Sequence, residues 1–175
     1  MSITKISDIE VIIRNILISQ SGLNPQFVRN SMSLYGTELN KEINTDIFDT
    51  LTQDDCLLLF DLESNEDLSI SENFEDKVKL WKSYEVHIMI YGEDSDTLAN
   101  KLVSRLRTEE VRIILASQGV HFNRIDNVTT LHEFENEVIW LRSDFSMLID
   151  FEMIISPVST NLPFIDISQL TVNKT

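Results

Sequence analysis

Tyr84-Glu-Val-His-Ile-Met-Ile-Tyr91-Gly92 runs into Glu93-Asp-Ser-Asp96 and then into a helical pattern that stops at Gly119. Tyr84, Val86, Ile88 and Ile90 fall on one side of a strand, because successive side chains point to opposite faces. Gly92 closes the strand, where a residue without Cβ turns freely. Asp94, Ser95 and Asp96 bring acceptor oxygens and negative charge to the unpaired N–H groups that open a helix. Leu98, Leu102 and Leu106 follow at helical spacing, Ile113 and Ile114 continue the apolar stripe, and Gly119 suits a left-handed cap. The spacing predicts a strand, a turn and one long helix over about 95–118, sharing an apolar side that needs a sheet to cover.

On the N-terminal side, Ile9, Ile12, Ile13, Ile16 and Leu17 predict a first helix over about 7–21. Ser7 or Asp8 is its cap and Gly22 its stop. Asn24-Pro25 reads as a turn, and Phe27 and Val28 begin a short strand. Residues 32–50 have no clear period and read as irregular. Cys56-Leu-Leu-Leu-Phe60 is a continuous apolar run, the pattern of a central strand covered on both faces, placed at about 55–63. Residues 63–79 are acidic and serine-rich and read as an exposed loop.

On the C-terminal side, residues 120–125 alternate as a short strand, and Asp126-Asn127 is a turn. The longest strand signal covers 138–155, with Ile139, Leu141, Phe145, Met147, Ile149 and Phe151 on one face. Trp140, Arg142, Asp144, Ser146, Asp150 and Glu152 take the other. At about 3.3 Å per residue such a strand spans roughly 55–60 Å. A bend or bulge is expected at Arg142-Ser143-Asp144, and an overhang that needs a neighbour to pair with. Beyond Pro157 the chain is polar, with apolar docking points such as Leu162, Phe164 and Ile167. The predicted fold is α+β. A mostly antiparallel sheet of four or more strands is flanked by the N-terminal helix and one long central helix, in a single domain over 1–155. Residues 156–175 form an extension that is partly disordered or docked on a partner.

The formal net charge of −15 argues against non-specific binding to nucleic acid or an anionic membrane, since both need clustered Lys and Arg. It fits a soluble acidic protein, or a surface that lies near DNA without holding it. Cys56, the single cysteine, excludes an internal disulfide and reads as a small buried residue without basic neighbours. No stretch approaches about 20 apolar residues, and the N-terminus has no secretory pattern, so folding in a reducing cytoplasm is expected.

No catalytic residues, cofactor site or metal site are predicted. His87, His121 and His132 have no metal-ligand spacing, and no GxSxG, GxxxxGK[ST] or GxGxxG motif is present. Glu109 and Glu110 are adjacent on a helix and point apart, so they make no acid–base pair. Candidate contact residues are Trp140, Arg142 and Asp144 on the outer face of the long strand, and Arg105 and Arg112 on the central helix. Trp and Arg are enriched at binding hot spots.

Taken in order, these features resemble the phage neck and tail terminator family. The N-terminal helix, Asn24-Pro-Gln-Phe-Val-Arg29, Tyr84-Glu-Val-His-Ile-Met-Ile-Tyr91-Gly92, Asp96-Thr-Leu-Ala-Asn-Lys-Leu102-Val-Ser-Arg-Leu106 and Glu137-Val-Ile-Trp140-Leu-Arg142-Ser-Asp144-Phe carry the likeness. It covers most of residues 1–155 and rests on structural residue types. The resemblance implies a structural virion protein without turnover, assembled in the host cytoplasm. It implies a homo-hexamer ring that caps the tail tube and stops its growth. It also implies contacts with the tail tube protein, the sheath protein and neck or head-completion proteins, while DNA passes through unbound. Two other classes compete: another head–tail adaptor or baseplate component, and a small acidic regulator that binds a basic partner by charge.

Overall fold

Strand β7 (Val138–Ile155) is the spine of the fold, and the other strands are ordered around it. The computed structural model describes residues 3–31, 55–65, 71–74, 77–135 and 138–155. Helix α1 (Ile6–Ser21) leads through a 3-10 turn at Pro25–Phe27 into β1 (Val28–Asn30). Then come β2 (Leu57–Asn65), β3 (Ser71–Phe74) and β4 (Lys77–Tyr91). Helices α2 (Ser95–Leu106) and α3 (Glu109–Ser117) precede β5 (Val120–Ile125), β6 (Thr129–Glu135) and β7. The sheet has seven strands in the order β1-β2-β4-β7-β5, with β3 beside β4 and β6 beside β7. It is mixed, because β1 runs parallel to β2 while the other pairs are antiparallel.

The two interleaved residue sets of each strand have different fates. Val86, Ile88 and Ile90 of β4 lie opposite Met147, Phe145 and Ser143 of β7, and opposite Leu62, Phe60 and Leu58 of β2. This side is covered by Ile9, Ile13 and Leu17 of α1, Leu102 and Leu106 of α2, and Val111 and Leu115 of α3. Phe60, Phe151, Ile88 and Leu106 are fully buried there, and each such side chain contributes about 1.5–3 kcal/mol. The three described helices therefore share one face of the sheet, and among the described residues none lies on the opposite face.

The sequence reading is corrected at three places. The long central helix is two helices. Thr108 takes extended dihedrals (φ −70°, ψ 149°), its hydroxyl donates to Arg105 O (2.7 Å), and Glu109 and Glu110 open a new first turn. The acidic stretch at 63–79 contains the end of β2, all of β3 and the start of β4, so its described part is strand. No bulge interrupts β7 at Arg142–Asp144, because its register with β4 is continuous from Arg142 to Ile155. The bulge lies across the ladder on β5, between Phe122 and Arg124. β7 does reach past β4, because their pairing covers Arg142–Ile155 and leaves Val138–Leu141 without a partner strand on that side among the described residues. Its second edge is taken by β6 over Val138–Asp144, by β5 over Met147–Phe151 and by a bridge from Ile3 to Met153. The expectations for residues 32–50 and 156–175 lie outside the described residues.

Gly92 sits where β4 gives way to α2, with φ +130°. A Cβ there would stand 2.5 Å from the carbonyl oxygen of Asp55, so the close approach of two backbones requires glycine. Among the described residues no helix is long and apolar enough to cross a membrane.

Candidate interaction face

The sheet face opposite the three described helices is built from the alternate set of residues on β2, β4 and β7. One end is apolar. Leu57, Leu59, Tyr91 and Trp140 are buried together, with Phe27 and Met89 against them. Leu57 and Leu59 belong to this cluster and Leu58 and Phe60 to the core under the helices, so the run is buried on both sides. Trp140 is 5% exposed. It anchors the end of the sheet. Its neighbour Ile139 points the other way and is 63% exposed, the strand there having passed beyond the helical layer.

Beside the apolar end lies a network of charged groups. The Arg142 guanidinium donates two hydrogen bonds to Asp144, at 2.8 Å (Nε to Oδ1) and 2.7 Å (Nη2 to Oδ2). Its Nη1 donates to Glu133 Oε2 at 2.8 Å, and the Tyr91 hydroxyl donates to the same oxygen at 2.9 Å. The guanidinium stands 5.7 Å from the Tyr91 ring centre. The hydrogen bonds to Asp144, ahead of those to Glu133, hold the Arg142 pKa above its ordinary value, with burial opposing. Burial pushes the Tyr91 pKa up, and its bond to Glu133 adds to this. Burial alone would raise Glu133, but the bonds from Arg142 and Tyr91 prevail and leave it lowered. Each of these three shifts favours the form that Arg142, Tyr91 and Glu133 ordinarily hold at neutral pH, which suits a structural network.

Further along, the face turns acidic. It presents Asp61, Glu63, Glu85, Asp144, Asp150 and Glu152 against Arg142 and Lys79, and Lys79 pairs with Glu152 at 3.1 Å. Glu63 and Glu85 are direct register partners. Like charges so placed repel, and the ring of His87 stands 3.1 Å from Glu63. The Ser146 hydroxyl lies 2.6 Å from Glu85 Oε1 and 2.9 Å from Asp126 Oδ2. It has one hydrogen to donate, so two carboxylates compete for it. Asp61 and Asp150 each bury one carboxylate oxygen without a partner among the described residues. A shallow recess of about 420 Å³ opens here, bordered by Asp61, His87, Asp126, Arg142, Asp144 and Ser146. Acceptors outnumber donors across it. No group of three His, Cys, Asp or Glu among the described residues is placed to hold a metal ion.

The predicted contact residues separate into two places. Trp140, Arg142 and Asp144 lie together on the open face, the first buried and the other two engaged with each other. Arg105 and Arg112 belong to the helical layer. Arg105 donates to the carbonyl of Gln20 and ties α2 to the end of α1, while Arg112 lies 5.2 Å over the ring of Phe122 on β5. Sequence reasoning did not single out Glu133 and Tyr91, which complete the Arg142 network. The missing signal was β6 itself: Leu131 and Phe134 are three apart and break the strand period, although Thr129-Thr130 favours a strand. Cys56 is half-buried beside Gly92, and burial, then the nearby Asp94 charge, raises its pKa.

The family model of phage neck terminator proteins matches residues 50–175, well over half of the chain. The chain belongs to that family. Comparison with curated proteins gives no match. The match takes in every strand from β2 to β7 and both α2 and α3. It also runs through residues 156–175, which sequence reasoning set apart as an extension. Membership makes the chain a structural protein of the phage tail and neck, and implies contacts with other tail and neck proteins.

Proposed function

We propose that six copies of this chain close into a ring that seats on the last layer of the tail tube, stops its elongation and presents a docking surface to the neck. The family match over residues 50–175 carries this reading. The net charge of −15 supports it, because an acidic ring repels phosphate and lets DNA pass through its channel unbound. Its partners are further copies of itself, the tail tube protein, the sheath protein where the tail has one, and the head-completion proteins. Assembly takes place in the host cytoplasm, and no turnover is involved.

Subunit contacts are assigned to two sides, the open face around Arg142 and Asp144 and the helical layer around Arg112. Trp140 and Arg105 are turned inward and hold those surfaces in place. The test is the length of tail tubes made without this protein. Overgrown tubes are expected, together with rings near six times 20.2 kDa when purified protein meets tubes. Tubes of normal length that lack only heads would sink the terminator reading and leave a head–tail adaptor.

A further inference from the structure

One register row crosses the whole sheet: Glu63 on β2, Glu85 on β4, Leu148 on β7 and Arg124 on β5. It runs from two carboxylates at one edge, through an apolar residue, to a guanidinium at the other. Three strand spacings separate the ends, roughly 14 Å, which exceeds the screening length of about 8 Å at physiological salt. The two ends therefore cannot neutralise each other within one chain.

Each end also keeps charge exposed, although Glu63 lies 3.1 Å from the His87 ring and Glu85 accepts from Ser146 at 2.6 Å. At the β2 edge, β1 pairs only Leu58–Phe60, so Asp61–Asn65 has no outer strand among the described residues. The Glu63 side chain is 77% exposed there and faces the like charge of Glu85. At the β5 edge, Arg124 is 64% exposed and reaches Asp126 only at 3.7 Å. Arg107 and Arg112 flank the same strand, the first at 3.4 Å from Ile125 O and the second over Phe122. The bulge at β5 and its arginines discourage backbone pairing with a further strand, so a contact here is made by side chains.

A two-fold contact made edge to edge at β2 would set carboxylate against carboxylate. A head-to-tail contact sets each edge against its complement, and repeating it closes a ring. We infer that the arginine edge of one copy, Arg107, Arg112 and Arg124 along β5, seats against the acidic β2–β4 edge, Glu63 and Glu85, of the next copy. This rests on the ring reading and names the surfaces that build it.

The test uses the exposed ends of the row, Glu63→Arg and Arg124→Glu, in the full chain. Each is checked for an unchanged melting curve, with Glu63→Gln and Arg112→Gln as milder forms. Ring formation is followed by light scattering and negative-stain microscopy, alone and on tail tubes. Each reversal alone is expected to raise the concentration needed for rings at least tenfold. An equimolar mixture of the two is expected to restore rings, because alternating copies then present opposite charges at every junction. Folded variants that assemble like the native chain, or a mixture that stays apart, overturn the assignment while the ring reading stands. A native chain that makes no ring, even on tubes, overturns both.

Discussion

Replacing Arg142 with alanine removes the cation that joins Asp144 and Glu133 and breaks three hydrogen bonds of 2.7–2.8 Å. The side chains of Arg142, Asp144 and Glu133 are 22%, 27% and 33% exposed. Fully exposed pairs contribute about 0–1 kcal/mol, and breaking fully buried ones costs about 3–5 kcal/mol. For this partly screened cluster the expected loss is about 2 kcal/mol, which in a chain of this size lowers the melting temperature by roughly 4–8 °C. The effect carries a pH signature. Glu133 has a lowered folded-state pKa, with burial opposing the bonds that lower it. Its contribution is therefore present above the ordinary carboxylate range and is lost as pH falls through the lowered value. Melting curves of the native and Arg142→Ala chains should stand apart at pH 7 and draw together as pH falls below the ordinary carboxylate range. Arg142→Lys should recover only part of the gap, since an ammonium cannot bind Asp144 through two parallel bonds. A gap that stays constant across that range refutes the charge account and assigns the loss to the arginine stem packed over Tyr91.

Gly92→Ala should destabilise the chain by about 2–4 kcal/mol by denaturant unfolding, because φ +130° and the Asp55 oxygen both oppose a Cβ. Trp140→Ala should lose about 3–5 kcal/mol through the cavity it leaves. The exposed neighbour Ile139→Ser should stay within about 0.5 kcal/mol of the native chain, and equal melting shifts for the two would contradict their opposite orientations. The Cys56 thiol should react with a disulfide reagent more slowly in the native chain than in urea at pH 8, since burial raises its pKa. Loss of assembly in a Trp140→Ala and Arg142→Ala double variant counts as evidence for a subunit contact only where melting shows the fold intact.

The primary sequence by itself determined the elements whose residues repeat with a clean local period. Helix α1, strand β5 and the eighteen residues of β7 fall where period and composition place them. So did the glycine stops, because a left-handed φ is a property of one residue, as at Gly22 with φ 76°. The break at Thr108 was legible too, as a cap followed by two acids, but the apolar stripe running across it hid the signal. What only the tertiary structure decided is what each strand lies beside. Local pattern shows that β7 has two faces; it does not show which of them the three described helices cover, or that β6, β5 and Ile3 share its second edge. The Arg142 network draws on β4, β6 and β7, and the charged row across the sheet on four strands. Such groupings depend on register between segments far apart in the chain, and register is fixed only when the whole sheet closes on its core.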